Sequence, residues 1–216
     1  MINLYNMDCL EAMRDFKDNE FDLAIVDPPY GIGQDGQKFS QQKGKGARRA
    51  HEFKGWDICP EIDYFNELYR ISQNQIIWGA NYYGMFQPSP CWVAWDKMQS
   101  FSGADMELAY TSFKTPCKAF RMSRIEAYGM GGDSRFPNSD KIHPTQKPVK
   151  LYEWLLKNYA KEGDKILDTH LGSGSSAIAC HNMGFEFTGY EIDEDYFKSA
   201  KARLEEHQKQ QQLFIG

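Results

Sequence analysis

Two short apolar runs, Leu23-Ala24-Ile25-Val26 and Ile166-Leu167, each stop on an aspartate, Asp27 and Asp168. An unbroken apolar run of strand length is what a strand buried on both faces requires. Around these runs, strand-like and helix-like segments alternate. Ile2 to Tyr5 and Asp22 to Val26 read as strands flanking a short helix from Cys9 to Phe16. Between Glu61 and Ile71 the apolar positions 62, 64, 65, 68, 69 and 71 follow helical spacing. Gln75 to Trp78 and Cys91 to Trp95 are rich in β-formers and predict strands, and Met106 to Phe113 and Cys117 to Tyr128 predict β-structure outside the main alternation.

The C-terminal part is the most regular. Pro148 opens a helix over Val149 to Tyr159, followed by a strand at Lys165 to Leu167 and a helix at Ser175 to Met183. A strand at Phe185 to Glu191 then leads to a helix from Asp193 to His207, with Asp193 as its cap. The glutamine-rich stretch Gln208 to Gln212 is expected to fray. This β-α-β-α ending predicts an α/β fold with a mostly parallel, doubly wound sheet. Gly31 to Gly55 lacks hydrophobic periodicity and reads as a long loop, and loops of that length in compact domains are usually functional or disordered. Gly129 to Pro148 also reads as loop.

Composition narrows the class. A chain of 216 residues with 41% hydrophobic and 14% aromatic content can bury one α/β core, and a second full domain would be a squeeze. No apolar stretch approaches the roughly 20 residues that span a bilayer. The first residues lack the basic-then-apolar pattern of a secretory signal, so a cytoplasmic location in a bacterial or phage-infected cell is expected, with no membrane partner. The five cysteines (Cys9, Cys59, Cys91, Cys117, Cys180) form no Cys-x-x-Cys pair and have no histidine at ligand spacing. They read as buried thiols in a reducing compartment, and no metal site is expected. Net charge is −5, yet it is segregated. Lys38, Lys43, Lys45, Arg48, Arg49 and Lys54 face one acid, Glu52, in the first loop; Lys114, Lys118, Arg121 and Arg124 cluster further on with none.

Asp168 opens the turn Asp168-Thr-His-Leu-Gly172-Ser-Gly174, where glycines allow close backbone approach and the next helix offers its N-terminus. By itself Gly-x-Gly is weak, since many strand-helix turns use it for packing. Glu191, 17 residues after Gly174, ends the next strand, where a carboxylate suits ribose hydroxyls. A phosphate-binding loop would need Gly-Lys-Ser/Thr, but Gly174 is followed by Ser175-Ser176. A dinucleotide fingerprint lacks its third glycine, and an acid at the first turn would repel a pyrophosphate. A cationic, nucleotide-like ligand such as S-adenosylmethionine fits better.

Asp27-Pro28-Pro29-Tyr30 reads as a rigid clamp. The lone pair of an aromatic amine is delocalised into its ring, so the nitrogen is a poor nucleophile. Acceptors on both amine hydrogens draw it toward tetrahedral geometry. The Asp27 carboxylate and the Pro28 carbonyl can be those acceptors, preplaced because proline fixes φ near about −65°. Tyr30 offers a flat face for an extruded base. The plainer reading is a strand-ending turn, since Pro and Asp are turn formers. Trp78, Trp92 and Trp95 read as core or pocket-lining residues.

At these residues the chain resembles the DNA amino-methyltransferases that act on adenine N6 or cytosine N4. Asp27-Pro-Pro-Tyr30 is similar to the family's catalytic motif in the form typical of adenine enzymes, whereas cytosine enzymes more often begin with Ser. Asp168 to Ser175 resembles the cofactor motif Asp-Pro-Phe-x-Gly-Ser-Gly-Thr, with His170 and Leu171 as departures. The resemblance implies cofactor contacts from Asp168, Leu171, Gly172, Ser173, Gly174, Ser175 and Ser176, and from Glu191 and Ile192. It adds Asp8 and Cys9 near the cofactor's adenine. His143-Pro144-Thr145-Gln146-Lys147-Pro148 would wrap the methionine end, and Asp27 itself would touch the cofactor. The fold implied is a Rossmann-like S-adenosylmethionine methyltransferase fold, in one domain over 1–216.

Motif order, catalytic before cofactor, resembles the circularly permuted β group, whose members commonly form homodimers. The resemblance also implies double-stranded DNA as partner, met by the two basic stretches. A mobile DNA-facing loop would occupy 31–57 and a small target-recognition segment 110–140. Any restriction endonuclease would be a separate chain. Site-specific N6-adenine methylation of a flipped base, in a restriction-modification setting, is the leading expectation. Alternatives are a cytosine-amine or RNA methyltransferase and, more remotely, an NAD-dependent oxidoreductase or a non-catalytic nucleic-acid-binding module.

Overall fold

The computed structural model describes residues 1–33, 55–84, 86, 88–98, 104–128, 142–143 and 145–215. The first half contains β1 (Ile2–Asn6), α1 (Cys9–Asp15), β2 (Phe21–Val26), α2 (Ile62–Ile71), β3 (Ser72–Trp78), α3 (Ala80–Tyr83) and β4 (Trp92–Asp96). The second contains β5 (Met106–Thr111), β6 (Lys118–Arg121), α4 (Arg124–Tyr128), α5 (Val149–Tyr159), β7 (Lys165–Asp168), α6 (Ser175–Met183), β8 (Glu186–Glu191) and α7 (Glu194–Ile215).

The eight strands of the described residues join one sheet in the order β1-β8-β7-β2-β3-β5-β4-β6. Pairing is parallel except that β5 runs antiparallel to both β3 and β4. The alternation within β2 explains its unbroken apolar sequence. Leu23 and Ile25 enter one buried cluster with α5, α6 and α7, through residues such as Leu155, Ile178 and Leu204. Ala24 and Val26 enter the other with α1, α2 and α3, through Met13, Phe65 and Tyr83. The sheet is therefore doubly wound. Helix α2 shows how strongly its apolar stripe is held: Phe65, Leu68 and Ile71 are fully buried, each contributing about 1.5–3 kcal/mol.

The parallel pairing of β2 with β7, Ala24 opposite Leu167, sets the two aspartate-ended strands side by side. Ligands of open α/β sheets bind outside the carboxyl ends of such strands. Because β5 is reversed, its N-terminal end, including Glu107, lies at that same side, where Glu107 pairs with Trp95 near the end of β4.

Met106 to Thr111 and Lys118 to Arg121 are strands that follow β4 with no intervening helix among the described residues, outside the β-α alternation, and they join the same sheet. Several expectations are corrected. Arg124 to Tyr128 is helical. Its start is a capping box: Glu126 accepts from the Ser123 backbone N–H at 2.8 Å and Ser123 Oγ accepts from the Glu126 N–H at 3.1 Å. Helix α7 continues through the glutamine-rich stretch to Ile215, and its start is capped by Asp193, which accepts from Asp195 and Tyr196. The thiols are all free, but only Cys91 and Cys180 are buried; Cys117 is exposed. Trp78 and Trp95 are buried in the core. Among the described residues no helix is long and apolar enough to cross a membrane.

Candidate active site

A cavity of about 760 Å³ opens at the carboxyl ends of β2, β7 and β8. Its wall includes Asp8, Cys9, Asp27, Pro28, Pro29, Tyr30, His143, Thr145, Gln146, Lys147, Leu171, Gly172, Ser173, Glu191 and Ile192. The two halves of the chain thus meet in one cavity. Among the described residues, seven carboxylates line it (Asp8, Asp27, Asp57, Glu61, Asp63, Glu191, Asp193), against Arg14 and Lys147. That balance suits a cationic ligand and opposes a pyrophosphate.

The glycine turn is built around Asp168. Its Oδ2 accepts from Ser176 Oγ at 2.6 Å and its Oδ1 from the His170 N–H at 3.0 Å. Asp168 is 1% exposed and lies behind the cavity wall, as do Gly174, Ser175 and Ser176. These four shape the turn whose Leu171, Gly172 and Ser173 face the cavity. Burial pushes the Asp168 carboxyl up to about 7, with the Ser176 hydroxyl opposing. Gly174 needs its φ of +73°, and a Cβ there would press on Ala200 at 3.2 Å.

Glu191 closes the opposite wall. Its Oε2 accepts from the Gly172 N–H at 2.9 Å and its Oε1 from the Asp193 N–H at 3.0 Å. Each oxygen keeps a second lone pair for a hydroxyl donor. Asp8 also has a second task, since its Oδ1 caps α1 by accepting from the Leu10 N–H at 2.7 Å. His170 replaces the expected phenylalanine but keeps a ring in place, edge-on to Tyr64 at 5.4 Å. Tyr64 and Thr169 share a 2.6 Å hydrogen bond, and Thr169 reaches His170 Nδ1 at 2.9 Å. Burial lowers the His170 pKa to about 4, so the ring is neutral at pH 7.

His143 packs against Tyr196 at 4.4 Å and Trp56 at 5.6 Å, above Gly172. Trp56 and Tyr196 carry no sequence signal of a site, because neither lies in a motif and only the fold joins them. Gln146 is buried, and its Oε1 accepts from the Ile142 N–H at 3.0 Å. Lys147 does not serve a ligand's methionine end alone: its ammonium hydrogen-bonds to Asp27 Oδ2 and reaches Glu107 at 3.2 Å.

The clamp is occupied from within. Tyr30 donates its hydroxyl to Asp27 Oδ1 at 2.7 Å, and its ring stacks on Tyr82 at 5.2 Å. Tyr83 donates to the Pro28 carbonyl at 2.6 Å. Burial pushes the Asp27 carboxyl up from its usual value, while the Lys147 ammonium pulls it down. Gly79 is a further site residue that no motif marks. At φ +69° it lies under the Tyr30 ring, which a Cβ would overlap.

The basic stretches are less fully placed. Lys38, Lys43, Lys45, Arg48, Arg49 and Lys54 lie outside the described residues, as do Pro144 and most of the expected 31–57 loop. Gly55, Trp56 and Asp57 line the cavity. Of the 110–140 segment, 129–140 lies outside the described residues. Lys114, Lys118 and Arg121 are exposed; Lys118 bonds Asn158 at 2.6 Å and Arg121 pairs with Asp96 at 3.6 Å.

The family model described as DNA methylase, for N6 and N4 methyltransferases, matches residues 92–202. The chain belongs to this family. The methylase is 27% identical over 236 residues to the Type II methyltransferase M.HpaI of Haemophilus parainfluenzae, covering 91% of this chain and 72% of that one. It is also 27% identical to the putative methylase YubD of Escherichia coli (strain K12), over 91% of this chain and 87% of that one. Among solved structures, it resembles the M1.HpyAVI–SAM complex with a TM-score of 0.58 at 20% identity, over 94% of this chain and 100% of that one. The cytosine-N4-specific PvuII DNA methyltransferase gives 0.56 at 13% identity, over 95% and 89%. These likenesses support the Rossmann-like methyltransferase fold. The matched segment carries the glycine turn and Glu191, while Asp27 to Tyr30 precede it.

Proposed function

We propose that this methylase transfers a methyl group from S-adenosylmethionine to the N6 amine of an adenine extruded from double-stranded DNA. The observation that carries the reading is the convergence of Asp27, the Pro28 carbonyl and Tyr30 on the same acid-lined cavity as Gly172 and Glu191. Asp at position 27, in place of the Ser frequent in cytosine enzymes, favours adenine. The first basic stretch and Lys114 to Arg124 are proposed as DNA-phosphate contacts, and 110–140 as the target-recognition segment.

The cavity suits S-adenosylmethionine in polarity: Glu191 would receive the ribose, Asp8 and His170 would flank the adenine, and Gln146 with the 142–147 segment would border the methionine end. When bound, that cofactor supplies an electrophilic methyl on a sulfonium. The protein's part is to hold the amine. Asp27 accepts one amine hydrogen and the Pro28 carbonyl the other, which localises the nitrogen lone pair toward the methyl. Tyr30, held by Gly79 against its ring and by the stacked Tyr82, is the aromatic group that would meet the base. The surplus proton on the methylated nitrogen leaves through the Asp27 carboxylate to water.

Incubating duplex DNA with the protein and labelled S-adenosylmethionine, then mapping the modified base by methylation-sensitive sequencing, tests substrate and site together. Label on cytosine would replace adenine as the target. The Asp27→Ala variant should lose transfer while its cofactor affinity stays within about threefold, because Glu191 and the glycine turn remain to hold the cofactor. Retained turnover would remove Asp27 from the mechanism.

A further inference from the structure

Four side chains of alternating charge run away from the clamp. Asp27 contacts Lys147, Lys147 reaches Glu107 at 3.2 Å, and Glu107 pairs with Lys97 at 2.7 Å. They come from four separate places in the chain: the end of β2, the segment before α5, the start of the reversed strand β5, and the residue after β4. Lys147 is the most enclosed, with its side chain 2% exposed, and its ammonium also lies 5.1 Å from the Trp78 ring centroid. A buried ammonium with two carboxylate partners is expensive to place unless both are needed.

The Lys147 ammonium donates to the carboxylate that a substrate amine would use. Tyr30 Oη holds the other oxygen. An amine arriving at Asp27 therefore competes with Lys147, and Glu107 is the partner that keeps Lys147 compensated.

We propose that Lys147 and Glu107 are positioning residues of the clamp: Lys147 orients Asp27 and keeps it an anion, and Glu107 takes up the Lys147 ammonium when the amine docks. The inference rests on reading Asp27 as the amine acceptor. The charge environment agrees. Burial alone would favour a protonated Asp27, and a protonated carboxyl loses much of its acceptor capacity. Lys147 opposes that without cancelling it, so that Asp27 stays above its usual value, while Glu107, itself drawn down to about 2 despite burial by Lys147 and Lys97, repels the Asp27 charge. The other titratable groups near Asp27 are Tyr30 of the clamp, Tyr83 of α3, Tyr64 of α2 and Asp168 of β7.

The test uses the full chain, with Lys147→Met, Lys147→Arg and Glu107→Gln. One readout needs no activity: the carbon-13 titration of the Asp27 carboxyl. Lys147→Met should move it up by at least about one pH unit, a tenfold change in anion population, while Lys147→Arg holds it within about half a unit. The acid limb of kcat should move up with it, so that the loss at pH 7 recovers as pH rises. Glu107→Gln should do the reverse to the titration, moving it down. It should nevertheless raise KM for DNA several-fold, because Lys147 then has no second carboxylate.

An unmoved Asp27 titration in Lys147→Met, or an unchanged KM in Glu107→Gln, would overturn the proposal. If Lys147→Met does not fold, Glu107→Gln decides it. If the wild-type protein methylates no DNA amine, the functional reading fails, and the carboxyl titration still decides whether Lys147 sets the charge of Asp27.

Discussion

The Tyr83 hydroxyl donates a 2.6 Å hydrogen bond to the carbonyl of Pro28 and lies 3.3 Å from that of Pro29. Tyr83 ends α3, a single turn held between two left-handed glycines, Gly79 and Gly84. A helix this short has little stability of its own, so the hydrogen bond ties it to the clamp as much as it fixes the clamp. Proline supplies no N–H, so the orientation of the Pro28 carbonyl depends on ring geometry and on this donor. Tyr83→Phe should cost about 1 kcal/mol of stability, the usual net worth of such a bond. It should also slow single-turnover transfer while leaving cofactor affinity alone. Denaturant melts and single-turnover rates check this; unchanged values for both would show that the carbonyl needs no anchor.

Gly79 presents a different constraint. Its φ of +69° already disfavours any side chain, and the Tyr30 ring occupies the space of a Cβ. Gly79→Ala should therefore cost at least about 1 kcal/mol from backbone strain. Because Tyr30 must move, it should lower kcat by about a hundredfold, the scale of an ångström-sized misplacement. Intact kcat would mean that Tyr30 does not set the position of the base.

The strands were legible where burial on both faces writes itself as an apolar run, as in Leu23 to Val26. Asp193 was legible as a cap, and the glycines at 172 and 174 as a turn, because these are local requirements of the backbone. Helix α4 had a local signal, Ser123 with Glu126 three residues on, which the β-forming character of the surrounding segment masked. The Lys147–Asp27 contact spans 120 positions and arises only from tertiary packing, as does the nearness of Glu107. No period or motif encodes such a pair. Likewise, only the fold shows that Ser176 Oγ and the His170 N–H hold the two Asp168 oxygens.

Arg48 and Arg49 lie in the densest basic stretch, where Glu52 is the one acid from Lys38 to Lys54. If they meet phosphate, replacing both by Ala should weaken DNA binding and reduce the log–log salt slope by roughly 0.9 for each phosphate no longer neutralised. Cofactor affinity should not change. Binding isotherms from low to moderate salt test it, and an unaltered slope would assign DNA contact elsewhere, with Lys114 to Arg124 next in line.

Asp168 gives a prediction whose sign opposes the usual one for a buried turn residue. Its carboxyl is pushed to about 7 by burial, above the value it has in the unfolded chain. The unfolded state therefore releases this proton first, and the stabilising effect of protonation, full in acid, is lost as pH rises toward and through about 7. Asp168→Asn imitates the neutral form and can still accept from the His170 N–H while meeting the Ser176 hydroxyl. The ligand-free variant should melt higher than wild type at pH 8, and the gap should close toward pH 5. Its cofactor affinity should nonetheless fall, since the amide removes a negative charge from beside a turn proposed to hold a cation. Melting curves across that range, with and without S-adenosylmethionine, separate the two effects; a lower melting temperature for ligand-free Asp168→Asn at pH 8 would mean that the ionised carboxylate holds the turn together outright.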